Sequence, residues 1–328
     1  MGNDKMGGGP AVSGVDKTVS QLAMGTAWCT PANEPDCQPV FDAFIELGGT
    51  TFDSGRIYGG GESERVLGDW VRRRGLREEV VILTKGATGT GHGIPSADFE
   101  SVVDSELQTS LEKLRTDYVD IYLLHRDSPE VPIGRLLGKL NELLDAGKAR
   151  AIGVSNIDYA RVEEACEYAE KSGLTPFAAL SNNVALAVSA EPFWPGLISI
   201  DEQGARWHAR TGAPDFSWSS QARGFFTGRY TPEVRERLRS EEVDTFTERM
   251  LTCYLTDENF ERLRRAQEMG RRKGGYTAVE VALAWVLHRP YPVVPLVGAQ
   301  NVEELRSCVH ATSLSLSADE CRWLNLEA

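Results

Sequence analysis

The sequence predicts a single (β/α)8 barrel, the TIM-barrel fold, with one helix appended at its C-terminal end. Short apolar or β-branched runs alternate with longer amphipathic stretches, about eight of each, and this alternation is typical of parallel βα units. No linker rich in Gly, Pro or Ser divides the 328 residues. An open doubly wound sheet is the alternative, but such a sheet would have about five or six strands. The number of units therefore favours a closed barrel.

Eight runs are predicted as strands, each followed by a turn and a helical pattern. The clearest helix has Leu and Ile side chains at spacings of three and four between Ile133 and Leu144, and Gly147 ends it. Residues 318–326 form an amphipathic segment that is predicted as the appended helix. The predicted strands are residues 22–27, 50–54, 80–85, 119–125, 151–155, 178–182, 215–219 and 293–297.

The first 14 residues differ in composition from the rest of the chain. They include a Gly-Gly-Gly-Pro run at positions 7–10, and this density of Gly and Pro favours a flexible segment. We therefore predict a flexible tail over residues 1–14 and the barrel over residues 15–328.

The composition excludes several classes of partner. The chain has 35 Lys and Arg against 48 Asp and Glu, a formal net charge of −13. A nucleic-acid binder needs a basic patch, and no basic run of sufficient length is present, so no nucleic-acid partner is predicted. The longest apolar stretch, 281–287, is far shorter than the roughly 18 residues that a membrane span needs. Six scattered cysteines without a CxxC pair predict neither a disulfide framework nor a metal site, and they suit a reducing cytoplasm.

Titratable side chains stand at three of the predicted strand ends, where barrels of this kind carry their chemistry. They are Asp53, with Tyr58 five residues later, Lys85 and His125. Taken alone, Lys85 is more often a strand cap, and a single histidine such as His125 is as often a hydrogen-bonded core residue. Four such groups at three strand ends of one barrel favour a shared catalytic site.

Several longer motifs accompany these residues, and together they resemble the aldo-keto reductase superfamily. The resemblance covers nearly the whole barrel. It is most specific at residues 147–156, which read Gly-Lys-Ala-Arg-Ala-Ile-Gly-Val-Ser-Asn, whereas the Tyr-Gly pair at position 58 would be a weak signal alone. The other motifs are Gly25-Thr26-Ala27-Trp28, Thr116-Asp117-Tyr118-Val119-Asp120 and Gly298-Ala299-Gln300.

The resemblance implies a catalytic tetrad of Asp53, Tyr58, Lys85 and His125. Tyr58 would be the general acid that protonates a carbonyl oxygen as hydride reaches the carbon. Because a free tyrosine has a pKa of about 10, the Lys85 ammonium is expected to lower the pKa of Tyr58. Asp53 would hold Lys85 charged and in place, and His125 would orient the carbonyl by donating a hydrogen bond.

The same resemblance implies a nicotinamide cofactor, with NADP(H) as the family default. Ser155 and Asn156 would hold the nicotinamide carboxamide, and Asn183 takes the position of a family Gln with a side chain one methylene shorter. Trp218 would stack on the nicotinamide ring, although a single aromatic on a strand is most often part of the core. The remaining cofactor positions are Ser219, Gln221, Arg223 and Gly228 in the loop that would cover the pyrophosphate, and Gly25, Thr26, Ala27, Asp53, Gly298, Gln300 and Glu304 elsewhere.

Glu304 is the most informative departure from the family pattern. The family commonly places a basic or amide residue at this position to bind the 2′-phosphate of NADP(H). A glutamate would repel that phosphate and would accept a hydrogen bond from a free ribose hydroxyl, which makes NAD(H) the alternative cofactor. The opposing hypothesis is that Glu304 faces solvent while Arg306 or backbone amides bind the phosphate.

The substrate is expected to be a small carbonyl compound with a polar or anionic part, because aromatic side chains and Arg126 lie near the predicted mouth of the barrel. Arg126 is equally consistent with an ion pair to Asp127 or to another surface carboxylate. The segment between Asn183 and Trp218, which lie 35 positions apart, includes an aromatic loop at 191–196, which is either a lid over the pocket or rigid surface structure. The residues assigned to the substrate are Trp28, Tyr58, His125, Arg126 and Trp194.

We therefore predict an NAD(P)-dependent oxidoreductase that transfers hydride between its cofactor and a small aldehyde, ketone or sugar-like substrate. A cofactor-sensing regulatory subunit with little turnover is the alternative, because the family's fold also occurs in that role. A third hypothesis, a barrel hydrolase, would use Asp53 with Glu62 or Glu64, although those glutamates also suit the N-terminal dipole of a helix. The sequence leaves the oligomeric state open.

Overall fold

Eight parallel strands close into a barrel in the order of the chain, so that β1 pairs with both β2 and β8. The computed structural model describes residues 5–88 and 94–327. Each strand lies within or overlaps a run predicted from the sequence, and the predicted (β/α)8 fold is confirmed. The strands are β1 (Ala23–Gly25), β2 (Thr51–Asp53), β3 (Val81–Gly86), β4 (Val119–Leu124), β5 (Ala149–Ser155), β6 (Ala179–Ser181), β7 (Asp215–Ser217) and β8 (Val293–Val297).

One α-helix follows each of the first six strands, but four follow β7 and two follow β8. The last helix is the predicted appended helix. The two short helices α7 and α8 were not predicted separately, and they make the connection from β7 to β8 the longest in the barrel. The helices are α1 (Glu34–Glu46), α2 (Ser63–Arg74), α3 (Phe99–Leu114), α4 (Ile133–Asp145), α5 (Tyr159–Ser172), α6 (Glu202–Thr211), α7 (Pro232–Arg239), α8 (Thr245–Cys253), α9 (Asp257–Arg272), α10 (Ala278–Leu287), α11 (Val302–Ala311) and α12 (Ala318–Leu324).

Side chains of the strands alternate between the barrel interior and the surrounding helices. Leu83 of β3 and Leu123 of β4 pack together in the interior cluster, whereas their neighbour Tyr122 packs with the helix layer. Because the side-chain period of a strand is two, the residues two positions further along, Lys85 and His125, also face the interior. This alternation brings them to the C-terminal mouth of the barrel.

Residues 5–14 pack against the opposite, N-terminal end of the barrel, and the flexible tail predicted there is wrong for this part of the chain. Met6 and Val12 are buried, and Val12 joins the interior cluster. The Met6 N–H donates to the Leu47 carbonyl at 2.9 Å, and Gly8 forms an antiparallel bridge with Ser20. Apolar burial and backbone hydrogen bonds outweigh the flexibility of the glycines. Residues 1–4 of the predicted tail lie outside the described residues.

The described part of the chain has neither a membrane-spanning helix nor a cluster of metal-ligating side chains. In residues 5–88 and 94–327, no helix is long and apolar enough to cross a bilayer. The same ranges contain no group of three or more His, Cys, Asp or Glu side chains that is placed to hold a metal ion.

Candidate active site

Lys85 is the centre of a buried polar group at the mouth of the barrel. Its side chain is 1% exposed and its Nζ forms an ion pair with the Asp53 carboxylate at the end of β2. The same ammonium donates to the Ser54 carbonyl at 3.2 Å and to the Tyr58 hydroxyl at 3.3 Å. Lys85 therefore lies inside the barrel rather than capping its strand at the surface.

A tight turn after β2 returns Tyr58 to this group. Tyr58 begins a 3-10 turn, Tyr58–Gly61, in which Gly59 and Gly60 have left-handed backbone angles with φ of 57° and 67°. A Cβ on Gly59 would lie 2.3 Å from the Cys29 carbonyl oxygen. The turn therefore requires glycine at this position, both for its backbone angle and for its close approach to the loop after β1.

Burial sets the direction of the pKa shift of Tyr58, whereas neighbouring groups set that of Lys85. Burial raises the pKa of Tyr58, while the charges of Lys85 and Arg126 act to lower it, and the pKa remains above its ordinary value. Lys85 therefore acts in the predicted direction, but burial outweighs its effect on the pKa of Tyr58. For Lys85, burial lowers the pKa but Asp53 and Tyr58 raise it further, so the net direction is upward. Tyr58 thus carries its proton beside a charged lysine.

His125 is the fourth member of the group and is neutral. Its ring packs edge-on to the Tyr58 ring, with centroids 5.5 Å apart. Burial, together with the positive charges of Lys85 and Arg126, lowers the pKa of His125 to about 3. His125 Nδ1 lies 3.3 Å from the Thr88 hydroxyl. Thr88 was not predicted from the sequence, because it lies in a loop without periodicity.

The two glutamates of the hydrolase hypothesis are engaged elsewhere. Glu62 pairs with Lys113 and Arg65. Glu64 is buried and accepts a hydrogen bond from the Thr84 hydroxyl at 2.6 Å. These contacts give no support to a carboxylate pair with Asp53.

The end of β5 presents Ser155 and Asn156, which are hydrogen-bonded to each other. Asn156 adopts a left-handed backbone with φ of 57°, and its Nδ2 donates to Ser155 Oγ at 2.8 Å. Ser155 Oγ donates in turn to the Ser181 carbonyl at 2.7 Å. Asn156 Oδ1 accepts from the Ile198 N–H at 3.1 Å. The predicted carboxamide-binding pair therefore already contacts the chain that follows β6.

Asn183 contacts a different set of residues. Its Nδ2 donates to the Trp218 carbonyl at 2.7 Å, and its Oδ1 accepts from the Ser199 hydroxyl at 3.3 Å. Its backbone forms parallel bridges with both of these residues. The structure thus joins Asn183 to Trp218 and Ser199, not to Ser155 and Asn156.

The loop after β7 begins at Trp218 and has several left-handed residues. Trp218 is half-buried, and its Nε1 is buried without a hydrogen-bond partner among the described residues. Gln221 Nε2 contacts Cys308 Sγ at 3.4 Å. The guanidinium of Arg223 lies 4.0 Å from the centre of the Phe193 ring. The left-handed positions are Ser219, Ala222, Arg223, Gly224 and Gly228.

Residues at the end of β1 pack beside Asp53. The buried Thr26 hydroxyl lies 3.1 Å from the Asp53 carbonyl and 3.0 Å from the Ser54 hydroxyl. Gly25 lies close to β8, since a Cβ there would be 3.3 Å from the Val297 carbonyl oxygen. Ala27 is exposed. Three cofactor positions were predicted at this strand end. Among them, Thr26 is the residue whose side chain already forms hydrogen bonds within the protein.

The end of β8 opens onto the N-terminus of α11. Gly298 is exposed, and a Cβ there would meet no atom within 4 Å. Glu304 Oε2 accepts from the Gln300 N–H at 2.9 Å, and Oε1 accepts from Asn301 Nδ2 at 2.9 Å. The Glu304 side chain therefore folds back toward the N-terminus of its helix instead of only facing solvent. Its carboxylate accepts a hydrogen bond from the Gln300 N–H just before that helix.

Arg126, directly after His125, does not pair with Asp127. The Asp127 carboxylate is bound by Arg161 at 2.8 Å. Arg126 Nη1 instead donates to the Gly196 carbonyl at 3.1 Å. The ion pair that the sequence left open for Arg126 is therefore excluded.

The aromatic loop 191–196 is held in place by its neighbours. Phe193 is buried, whereas the predicted substrate residue Trp194 is 37% exposed and packs edge-on against it. Arg249 of α8 binds the carbonyls of Pro192 and Phe193. A cavity of about 250 Å³ lies between this loop and Trp218, with Tyr254 also in its wall. Trp28, the other aromatic assigned to the substrate, is half-buried in the loop after β1.

Comparison with known proteins identifies the family. The Aldo/keto reductase family model matches residues 21–325. A norsolorinic acid reductase of Emericella nidulans is 28% identical over 317 residues, covering 92% of this chain and 76% of the relative. An aryl-alcohol dehydrogenase of Pestalotiopsis microspora is 28% identical over 309 residues, covering 91% and 75%. An aldo-keto reductase from Klebsiella pneumoniae in complex with NADPH shares the fold, with a TM-score of 0.71 and 22% identity over 98% of this chain and 95% of that one. The chain therefore belongs to the aldo/keto reductase family and is a nicotinamide-dependent oxidoreductase.

Proposed function

We propose that this enzyme transfers hydride between NADP(H) and a small aromatic carbonyl compound, with Tyr58 as the general acid. The observation that carries the proposal is the contact of the Tyr58 hydroxyl with the buried Lys85 ammonium at 3.3 Å. An uncharged phenol beside an ammonium is suited to release a proton, because the ammonium stabilises the phenolate that remains.

The residues opposite the tetrad fit a nicotinamide dinucleotide. Trp218 offers an indole face and an unpartnered N–H among the described residues. Ser155 and Asn156 offer hydroxyl and amide groups of the kind that bind a carboxamide. The open backbone at Gly298 and the N-terminus of α11 suit an anionic phosphate. We propose these residues as the cofactor contacts.

In the proposed mechanism the bound nicotinamide supplies or accepts the hydride, and the residues of this chain move the proton. Tyr58 donates its proton as negative charge develops on the carbonyl oxygen. Lys85 then stabilises the phenolate of Tyr58. Asp53 keeps Lys85 positioned through their ion pair.

His125 orients the carbonyl without changing charge. With a pKa of about 3, it is neutral throughout the physiological range. When the Thr88 hydroxyl donates to Nδ1, the proton of the neutral ring is on Nε2. We propose that this Nε2–H donates a hydrogen bond to the carbonyl oxygen and aligns it with Tyr58.

Aromatic substrates are favoured by the surroundings of Trp218. The adjacent cavity has Phe193, Tyr254 and Trp218 in its wall, and aromatic side chains pack well against a flat ring. The two relatives described above include an enzyme named for aryl alcohols. We propose aryl aldehydes or ketones, with the corresponding alcohols in the reverse direction.

Glu304 weakens the preference for NADP(H) in this proposal. Its carboxylate binds the Gln300 N–H at 2.9 Å, so a 2′-phosphate at the start of α11 would meet a negative charge. Arg306 is exposed on the same helix and is available for a phosphate. NAD(H) is therefore the second candidate cofactor, and it is favoured by this one contact.

Cofactor titration is the test of the proposal. We expect both NADPH and NADH to quench the protein's tryptophan fluorescence, and we expect either one to be oxidised in the presence of benzaldehyde. Failure of both nucleotides to bind would overturn the proposal. Binding without oxidation of the nucleotide by any of a panel of aldehydes and ketones would favour the cofactor-sensing alternative instead.

A further inference from the structure

Arg126 is a half-buried cation beside the proposed catalytic group. Among the described residues, no carboxylate lies within ion-pairing distance of its guanidinium, and its Nε is buried without a hydrogen-bond partner. Within residues 5–88 and 94–327, its hydrogen bond is the contact of Nη1 with the Gly196 carbonyl. Four of the five N–H groups of the guanidinium are therefore not bound by this contact.

The nearest acidic residue in sequence is already committed. Asp127 is bound by Arg161 through Nε, at 2.8 Å to one carboxylate oxygen and 2.9 Å to the other. Rotation of Arg126 toward Asp127 would have to break this pair. Arg126 is thus a cation at the mouth of the barrel, and the neighbouring carboxylate, Asp127, is paired with Arg161 instead.

A partly desolvated guanidinium without an anion is costly for a protein to keep. Burial lowers the pKa of Arg126, which is the direction expected when the charged form loses water. Arg223, whose guanidinium stacks on Phe193 of the 191–196 loop, also has a buried Nε without a partner among the described residues. An arriving anion would offset this cost by making charge-assisted hydrogen bonds.

From this geometry we infer that Arg126 binds a carboxylate of the substrate, and that the preferred substrate is an aryl carbonyl compound bearing an acid group. This inference rests on the proposed function. The positive charge of Arg126 acts on both Tyr58 and His125, so its guanidinium lies close enough to both rings for one substrate to contact all three side chains. The planar guanidinium matches a carboxylate with two parallel hydrogen bonds.

The experiment compares each acid with its neutral ester. The three isomeric formylbenzoates and their methyl formylbenzoate esters are assayed with NADPH, and kcat/KM for the acid is divided by kcat/KM for the ester. For the best isomer we expect a ratio on the order of tenfold or more in favour of the acid, since one charge-assisted pair is worth about that factor.

Substitutions at Arg126 then test the assignment. In Arg126→Gln the acid-to-ester ratio should fall to about one, mainly through a rise in KM for the acid, and Arg126→Lys should restore part of it. Arg249→Gln is the matched control. It removes an arginine that holds the same loop through Phe193, so it should loosen the loop while keeping the acid-to-ester ratio.

The outcomes separate this inference from the function beneath it. A native enzyme that reduces the esters as well as the acids would overturn the role of Arg126 and leave the reductase proposal intact. So would an unchanged ratio in Arg126→Gln, or an equal fall of the ratio in Arg249→Gln, which would show that loop position sets selectivity. Failure to bind NADPH or NADH and to reduce any aldehyde would overturn both.

Discussion

The two sides of the barrel mouth use their polar side chains differently. On the side of β2 to β4, Asp53 and Tyr58 both contact Lys85. On the side of β5 to β8, Asn156 contacts the Ile198 N–H and Glu304 contacts the Gln300 N–H. The first side joins strand ends and the turn after β2 to one another, whereas the polar side chains of the second side are hydrogen-bonded to the backbone of loops.

Under the proposed function this difference separates chemistry from binding. The side chains of the tetrad side already contact one another, as proposed for preorganised proton transfer. The side chains of the opposite side are bound to the protein's own backbone, and under the same proposal the cofactor would replace these contacts. Substitutions on the first side should therefore change turnover or stability, and substitutions on the second should change which ligand binds.

Tyr58→Phe should have the largest effect. It removes the hydroxyl that contacts Lys85 while keeping the ring that packs against His125. We expect kcat for carbonyl reduction to fall on the order of 10²- to 10⁴-fold, the usual contribution of a general acid. Cofactor affinity, measured by fluorescence titration, should stay within about twofold because proton transfer is not part of binding. Retained turnover would show that another group is the acid.

Lys85→Met should have the next largest effect, this time on stability. It leaves the buried Asp53 carboxylate without its cation, and breaking a buried pair costs about 3 to 5 kcal/mol. Urea unfolding of the variant measures the change. Lys139→Met is the control, because Lys139 is buried to a similar degree but its partners, Asp104 and Glu142, are exposed. We expect its loss to cost about 1 kcal/mol or less.

The double variant Asp53→Asn/Lys85→Met sharpens this result. If the cost of Lys85→Met comes from the unpaired carboxylate, then neutralising Asp53 should recover part of the lost free energy of unfolding. Equal instability of the single and double variants would mean that packing of the lysine stem, not the ion pair, stabilises this side of the mouth.

The positions of two tetrad residues could be predicted from the sequence because strand geometry determines them. Lys85 and His125 follow inward-facing leucines by two residues, so a period of two places them in the barrel without further information. A loop has no such period, so the direction of its side chains cannot be predicted in this way. The 191–196 loop was noticed for its aromatic residues, but Trp194 was assigned to the substrate and Phe193 is the buried one.

Residues 5–14 show a second limit of local pattern. Met6 and Val12 are isolated apolar residues in a Gly-rich segment, without helical or strand spacing. Their burial depends on the open end of the barrel, which exists only after all eight strands have paired. Likewise, the bond from Asn156 to Ile198 joins residues 42 positions apart in the chain, and no local pattern predicts it.

Glu304→Gln tests the cofactor side with a smaller expected effect. Glutamine keeps an oxygen that accepts from the Gln300 N–H but removes the negative charge. We expect the ratio of NADPH to NADH affinity to rise on the order of tenfold, since one charge near a phosphate dianion is worth about 1 kcal/mol or more. Fluorescence titration with both nucleotides measures the ratio.

Glu303→Gln is the matched control for this prediction. Glu303 is also exposed and adjacent on α11, so the charge change is the same. Its variant should shift the ratio less than Glu304→Gln does. Equal shifts would show that the overall charge of the helix terminus sets the preference, and an unaltered ratio in both would remove Glu304 from the cofactor site.

Asp215→Asn should have the smallest effect of these variants. At acid pH its free energy of unfolding should match that of the native protein, and the difference between them should grow as pH rises. Asp215 in β7 is buried, and its Oδ2 has no partner among the described residues; unlike Asp53, it has no lysine beside it. Burial raises its pKa well above the ordinary value of about 3.9. A carboxyl with a raised pKa contributes its full stability below the unfolded value and loses it as pH rises through the folded value.

The asparagine variant should therefore gain stability relative to the native protein between about pH 5 and pH 9. Asn retains the oxygen that accepts from the Asn182 N–H at 2.8 Å, so little should be lost at pH 5. Urea unfolding at several pH values measures the difference. A constant difference across this range would mean that Asp215 does not change its charge on folding. A growing difference would show that the β7 side keeps its buried acid neutral and without a cation, whereas the buried acid of the tetrad side, Asp53, has the Lys85 ammonium as its partner.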